Sequence, residues 1–289
     1  MIVLAIIVVL SAFVVTKLYS YAGTIGCVVK TAFSGNCENF TCNRDGLTIS
    51  GKVFHTDMEK QPILIISHAF MANKWFSYAH AEYLLKLGYA VFTFDFNGGC
   101  LLGKSEGKKT DMSVLTEVED LKAVIEYAKN CPYTDEQKIV LMGCSQGGFV
   151  SAITASQLTD TVDKLILFYP ALSIPDDARS GSMIYAEFDP LHVPDSFMCG
   201  PMRLGKCYVE DVLQMDAYEA IGNYTGDVLL LHGGKDSVVD KAYSDKAYKT
   251  YTSAGAHVIY RIIDNADHVF FQYKDYKKAK NIVKKFLKG

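Results

Sequence analysis

The sequence has little excess of either charge: 29 lysines and arginines face 32 aspartates and glutamates, a formal net charge of −3. Without a basic surplus the chain lacks the electrostatic footprint that nucleic-acid binding requires. Its eight cysteines include no Cys-x-x-Cys pair, the spacing on which zinc sites are usually built. No internal repeat and no low-complexity stretch occurs, which argues against solenoids and arrays. One further absence is local. Met1 to Thr16 (MIVLAIIVVLSAFVVT) carries no charged side chain.

As a helix rising about 1.5 Å per residue, that run covers roughly 24 Å. A bilayer core is about 30 Å thick, so a span must continue through Lys17 towards Tyr21. Lys17 can extend its stem to the headgroups, and Tyr19 and Tyr21 suit an interface. Three readings compete: anchor, cleaved signal peptide and buried helix. A signal peptide wants a basic n-region, which is missing, although Ser20-Tyr21-Ala22 is an acceptable small-x-small cleavage site. A buried helix should show a polar face, also missing. Residues 1–23 are therefore expected to form a membrane anchor, with secretion after cleavage as the alternative, and 24–42 a linker. Lys17 and Lys30 follow the run and favour a cytoplasmic domain. The pairs Cys37/Cys42 and Cys199/Cys207 could close small disulfide loops in an oxidising compartment, and Asn39 and Asn223 lie in Asn-x-Thr sequons. The side of the membrane stays open.

What remains is ordinary for one large globular enzyme: 49% hydrophobic and 21% charged residues in a chain of 289. Leu47–His55 reads as a strand after an Asp45-Gly46 turn signal. Ile63–Ser67, Ala90–Phe96, Lys138–Met142, Lys164–Tyr169, Asp227–Leu231 and Val258–Ile263 read as buried strands. Helices are expected at Ser77–Leu87, Met112–Asn130 (capped by Asp111 or Ser113), Gln146–Gln157, Lys241–Ser253 and Asp275–Leu287. This alternation predicts an α/β fold, a mostly parallel sheet with helices on both faces, over residues 43–289.

The rhythm breaks between Leu172 and Tyr224, where strands are not apparent and Pro175, Pro190, Pro194 and Pro201 occur. Loops that long are usually functional or disordered. Its methionines and aromatics, including Met183, Tyr185, Phe188, Phe197, Met198 and Met202, argue against disorder. The segment 173–222 is expected to be an inserted helical cap over the strand ends. Tyr185, Phe188 and Asp176 are its candidate substrate contacts, although such aromatics equally serve to hold a cap in place.

Gly143-Cys144-Ser145-Gln146-Gly147 lies between a predicted strand and a predicted helix. A sharp strand-to-helix turn exposes the serine hydroxyl, and small flanking residues let the backbones pass. The helix N-terminus then offers free N–H groups to a developing oxyanion. A serine hydroxyl needs a base, and the base needs an orienting acid. Asp236, just past strand 227–231, and His268, just past strand 258–263, stand at the strand ends where such sheets assemble sites. Asp240 and Asp264 are rivals for the acid. His232 is expected to be structural, and His257 sits at the wrong edge. Oxyanion donors are expected from the backbone N–H groups of Gln146 and Phe70, with His68 as a scaffold residue. No metal or cofactor is called for.

These pieces resemble the α/β-hydrolase superfamily, and within it the cinnamoyl/feruloyl esterase-like serine esterases. The resemblance runs from about Gly46 to the C-terminus. It rests on SHAFMANK (67–74), FDFNGG…GKSEG (94–107), GCSQGG (143–148), YPALSIPDDAR (169–179), LHGGKDSVV (231–239) and NADHVF (265–270). It implies a triad of Ser145, Asp236 and His268, oxyanion donors Phe70 and Gln146, and hydrolysis of short-acyl or hydroxycinnamoyl-type esters. Two departures stand out: His68-Ala69-Phe70 replaces His-Gly-Phe, and Gly98–Ser105 replaces a shorter Gly-His-Gly-x-Ser turn. The alternatives are a serine aminopeptidase or acyl-peptide hydrolase of the same fold, and a membrane-tethered, non-catalytic binding module.

Overall fold

The computed structural model describes residues 35–289. The expected anchor at 1–23, and the linker as far as residue 34, lie outside them. No helix among the described residues is long and apolar enough to cross a membrane.

Twelve strands and eight helices occur among the described residues. In chain order the larger sheet is built from β1 (Asn36–Arg44), β2 (Leu47–His55), β3 (Gln61–Ser67), β4 (Ala90–Phe94), β5 (Thr134–Cys144), β6 (Lys164–Phe168), β11 (Asp227–Gly233) and β12 (Val258–Ile263). Their spatial order is β1-β2-β4-β3-β5-β6-β11-β12. From β4 to β12 all neighbours are parallel, while β1/β2 and β2/β4 are antiparallel. Helices α1 (Lys74–Leu85), α2 (Val114–Lys129), α3 (Gln146–Gln157), α7 (Lys241–Ser253) and α8 (Tyr273–Phe286) supply the crossovers and the C-terminal layer.

The sequence explains the layering. Ile63, Leu64, Ile65 and Ile66 of β3 are fully buried, as are Val228 to Leu231 of β11, because these strands are covered on both faces. Alternate residues feed two cores. Ile63, Ile65, Phe92, Leu141 and Leu165 pack on one side, and Leu64, Ile66, Val91, Val140 and Ile166 on the other. Ser113 caps α2 in a reciprocal capping box with Thr116.

Two expectations are corrected. The second half of the linker 24–42 is strand β1, an edge strand in which Phe40 alone is buried, stacked on Tyr127 with ring centroids 4.6 Å apart. The strand NCENFTCNR has one apolar anchor among polar residues, so its pattern reads as linker. The cap is mixed, not helical throughout. Besides α4 (Ile174–Ser180), α5 (Cys207–Leu213) and α6 (Ala217–Ile221) it holds two antiparallel hairpins, β7/β8 (Ser182–Met183, Ala186–Glu187) and β9/β10 (Ser196–Cys199, Met202–Gly205). Strands of two to four residues are too short to show a period.

The seven described cysteines are free. Cys37 and Cys42 lie five residues apart on one extended strand, which separates them by roughly 17 Å, far beyond disulfide reach.

One buried ion pair fixes the loops that lead to the strand ends. Lys74 Nζ bonds Asp95, and the other Asp95 oxygen accepts the Lys74 backbone N–H at 2.8 Å. The Lys104 N–H also reaches Asp95, at 2.9 Å. Both side chains are at least 96% buried, so losing one strands the other charge. Lys74→Met should cost about 3–5 kcal/mol, and adding Asp95→Asn should recover part of that loss. Thermal unfolding by circular dichroism tests this; additive losses would show that the pair is not coupled.

Candidate active site

Five loops converge at the carboxyl edge of the sheet. The tightest turn joins β5 to α3. Ser145 sits there at φ 52° and ψ −119°, a region that L-residues occupy only when their surroundings compel it. The flanking glycines show the reason. A Cβ on Gly143 would lie 2.2 Å from the Gly147 carbonyl oxygen, and one on Gly147 would lie 2.3 Å from the His68 carbonyl oxygen. No side chain fits at either place. Ser145 N–H donates to Phe168 O at 3.0 Å, and its carbonyl accepts from Gly148, Phe149 and Ala171.

The β11 and β12 turns meet by the same device. A Cβ on Gly233 would stand 2.5 Å from Ala266 O, and one on Gly234 would stand 2.5 Å from Asp264 O. The segment Asp264–His268 therefore lies directly on the β11 turn. This brings His268 Nδ1 to 2.7 Å from Asp236 Oδ2 and His268 Nε2 to 2.9 Å from Ser145 Oγ. Behind the imidazole, Tyr169 packs with its ring centroid 4.7 Å away.

Asp236 is held from all sides. Oδ1 accepts the N–H groups of Val238 and Val239 at 2.9 and 3.0 Å. Oδ2 takes His268 and, at 3.1 Å, His232 Nε2. Burial alone pushes this carboxyl up; the hydrogen bonds from His232, His268 and Val239 outweigh it and hold the group well below the usual carboxylate range. A carboxylate fixed in this way keeps the proton of the imidazole on Nδ1 and leaves Nε2 free to accept the serine proton. The rivals stand elsewhere. Asp240 is exposed and caps α7 by accepting the Ala242 N–H at 2.8 Å, and Asp264 is exposed at the turn.

The first residue of α3, Gln146, and Phe70 after β3 carry the other two expected donors. Neither N–H is paired with a backbone acceptor among the described residues. His68 is neutral scaffold: Nδ1–H donates to Ala69 O at 2.8 Å, and Nε2 accepts the Phe96 N–H at 3.2 Å. Burial pushes its imidazole down, against the hydrogen bond to Ala69. His68, Asp95 and Cys100 offer metal-type donor atoms within 4.8 Å of one another. Lys74 already fills the cationic place beside Asp95.

The candidate substrate residues separate. Tyr185, at the β7/β8 tip, is 61% exposed. A Cβ on Gly200 would lie 3.2 Å from its ring and 3.4 Å from Met71 Cε, so that tip reaches the loop carrying Phe70. Phe188 packs on Phe197, with centroids 5.1 Å apart, inside the cap. Asp176 is engaged by Arg179 at 2.5 Å and by the Tyr243 hydroxyl at 3.0 Å.

Three residues at the site escaped the sequence reading. His232 was expected to be structural, yet it touches the Asp236 carboxylate. Glu117 lies in the apolar stripe of α2 and bonds the Gln146 amide at 2.8 Å; a carboxylate on that stripe was the available signal. Tyr208 of the cap donates to Gln146 Oε1 at 2.5 Å, and no sequence spacing announces it.

A serine at a strand-to-helix elbow, hydrogen-bonded through histidine to a buried aspartate at the edge of a parallel sheet, defines a serine hydrolase of the α/β-hydrolase fold. The sequence profile of the prolyl oligopeptidase family (Peptidase_S9) matches residues 74–289, and the chain belongs to that family. Among solved structures it is similar to Est1E from Butyrivibrio proteoclasticus, described with ferulic acid bound. The identity is 26%, coverage is 86% of this chain and 97% of that one, and the TM-score is 0.77. The Pyrococcus furiosus esterase Pf2001 shares the fold at 22% identity, covering 88% and 91% of the two chains, with a TM-score of 0.68. An uncharacterized 31.7 kDa protein of Escherichia coli is 28% identical over 44% of this chain and 43% of its own length. The quorum-quenching protein AidA of Acinetobacter baumannii (strain MDR-ZJ06) is 30% identical over 30% of this chain and 28% of its own length. The chain thus spans less than half the length of these curated relatives.

The two aspartates can be separated by mutation. Asp236→Asn should lower kcat by about 10³-fold or more, whereas Asp240→Asn should leave kcat and stability nearly unchanged, because an asparagine oxygen caps a helix as well as a carboxylate does. Steady-state rates and melting curves of both variants decide; comparable kcat losses would mean that Asp236 is not the partner of the imidazole.

Proposed function

We propose that the protein hydrolyses carboxylic esters through an acyl-enzyme on Ser145. The observation that carries this reading is the unbroken Ser145–His268–Asp236 hydrogen-bond chain, with its serine on a strained elbow. His268 Nε2 takes the hydroxyl proton as Ser145 Oγ attacks the carbonyl carbon. The N–H groups of Phe70 and Gln146 receive the oxyanion. The alcohol leaves with the proton from His268, and a water activated by the same nitrogen then releases the acid and restores the serine.

The substrate class we propose is short-acyl or hydroxycinnamoyl-type esters. The likeness to Est1E, described with ferulic acid, supports an aromatic acyl group, and the exposed Tyr185 at the cap tip offers it a stacking surface. A peptide or acyl-peptide bond is the second reading, favoured by membership of the prolyl oligopeptidase family. The proposal extends to attachment. The apolar segment 1–23 would tether the domain to a membrane, or direct its secretion if cleaved. Asn36 pairs with His55, and Phe54 with Val91 near the start of β4, so the chain enters at the edge opposite Ser145. A tether there would leave the mouth of the site facing away from the bilayer.

Two experiments test these statements. A panel of methyl ferulate, p-nitrophenyl butyrate, a long-chain triglyceride and a blocked dipeptide amide should show preference for the first two. Ser145→Ala should abolish that activity and fluorophosphonate labelling with the fold intact, and Tyr185→Ala should raise KM several-fold with little change in kcat. Preference for the amide or the triglyceride overturns the substrate class, and labelling that persists in Ser145→Ala overturns the nucleophile. Separately, deletion of residues 1–24 should shift the protein from the membrane to the soluble fraction with kcat unchanged. A truncated chain that aggregates would instead place the segment against the domain.

A further inference from the structure

Tyr208 occupies an unusual position. It belongs to α5, within the inserted cap, yet it touches both residues whose backbone N–H groups face the oxyanion in the reading above. Its hydroxyl donates to Gln146 Oε1 at 2.5 Å, and its ring lies 5.7 Å, centroid to centroid, from that of Phe70. The far side of the Gln146 amide is also fixed: Nε2 donates to Glu117 Oε2 at 2.8 Å. Gln146, Glu117 and Tyr208 are each at least 96% buried. The planar amide is thus clamped between a cap residue and a core helix.

The clamp is braced. The hydroxyl of Ser113, at the start of α2, donates to Asp211 of α5 at 2.5 Å. This second tie stitches the same two helices three residues from Tyr208. Glu117 itself has no room to drift, because a Cβ on Gly99 would lie 2.5 Å from its Oε1. Burial pushes the Glu117 carboxyl well up, against the hydrogen bond from Gln146.

We infer that Tyr208 and Glu117 are positioning residues for the oxyanion hole, clamping the Gln146 side chain so that the cap fixes the direction of the Gln146 and Phe70 N–H groups. The inference rests on the ester-hydrolase reading, in which those N–H groups bind the oxyanion. Its physical basis is the geometry of α3. Gln146 is the first helical residue, so its N–H has no partner within the helix. Its peptide plane is shared with the Ser145 carbonyl, which accepts from Gly148, Phe149 and Ala171. Side-chain anchors at both ends of the Gln146 amide add a second constraint, from the other side of the same residue. Donors held in advance of the reaction stabilise charge without reorganising, and a misaligned donor loses much of that benefit.

The test is Tyr208→Phe, which keeps the ring against Phe70 and removes the hydroxyl. It should lower kcat about tenfold with KM within twofold, slow fluorophosphonate labelling of Ser145 by a similar factor, and weaken a trifluoromethyl ketone inhibitor in parallel. Glu117→Met should do the same, and Glu117→Gln, which keeps an acceptor for the amide, should lose less. Tyr224→Phe removes one buried hydrogen bond, to the Val162 carbonyl just before β6, without touching Gln146. It should lower the melting temperature and leave kcat unchanged, which separates positioning from general loosening. Unchanged kcat, labelling rate and inhibitor affinity in Tyr208→Phe would overturn the inference while the hydrolase reading stands. A wild-type Ser145 that resists the fluorophosphonate would sink both.

Discussion

Ser145 is held at a positive φ that its own side chain disfavours, and the force that holds it there comes from the backbones around it. Gly143 and Gly147 let β5, the turn and the loop after β3 approach within distances that no Cβ could occupy. Strain of this kind costs about 1–3 kcal/mol and persists only where the surroundings over-determine it. Here the surroundings are parallel strands buried on both faces, among the most rigid parts of such a domain. The same approach carries the His68 carbonyl against Gly147, and so sets the path of the loop bearing Phe70. One tight crossing therefore places the nucleophile and both expected oxyanion donors at once.

The acid is governed by a different balance. Taking a carboxylate out of water is expensive, and four hydrogen bonds compensate Asp236 for it. Two come from backbone N–H groups of its own turn, which orient it. Two come from imidazoles that share Oδ2, and only His268 reaches Ser145. His232 donates Nε2–H towards both Asp236 and the Val239 carbonyl, while its Nδ1 faces the Ser244 hydroxyl at 2.7 Å. It makes the turn around Asp236 a closed unit. The acid is thereby tied to α7 as well as to β11, which limits its freedom to follow solvent.

How much of this the sequence disclosed follows from the range of the interactions. Strands such as Ile63–Ile66 and Val228–Leu231 are legible because burial on both faces imposes continuous apolar runs. Helix α3 is legible because it opens at the glycine-flanked elbow, and α7 because Asp240 caps its start. The triad residues are legible because each stands directly after a legible strand. β1 escaped because an edge strand with one buried residue has no pattern to show. The cap hairpins escaped because two to four residues cannot display a period of two. The contacts of Gln146 with Glu117 and Tyr208 span 29 and 62 residues, and no local signal connects partners so distant. His232 was visible as a residue but not as a neighbour of Asp236, since four positions in a turn carry no fixed geometry.

Two of the three site residues that escaped detection, Glu117 and Tyr208, meet at the junction between core and insertion. The core strands and their turns suffice to assemble nucleophile, base and acid, and their sequence records that fact locally. The core holds only half of the Gln146 amide: Glu117 takes Nε2, while Oε1 finds its donor on α5. An insertion that merely covered a pocket would need apolar contacts with the rim and no buried polar bond to the elbow. This one buries a phenol, an amide and a carboxyl in a single satisfied chain, and buried polar chains are destabilising unless every member is paired. Sliding the cap by even one side chain would leave Gln146 Oε1 without a donor, a loss of about 1–3 kcal/mol. The cap is therefore held in one register over the elbow, and the alignment of the catalytic edge and the placement of the cap are the same structural fact.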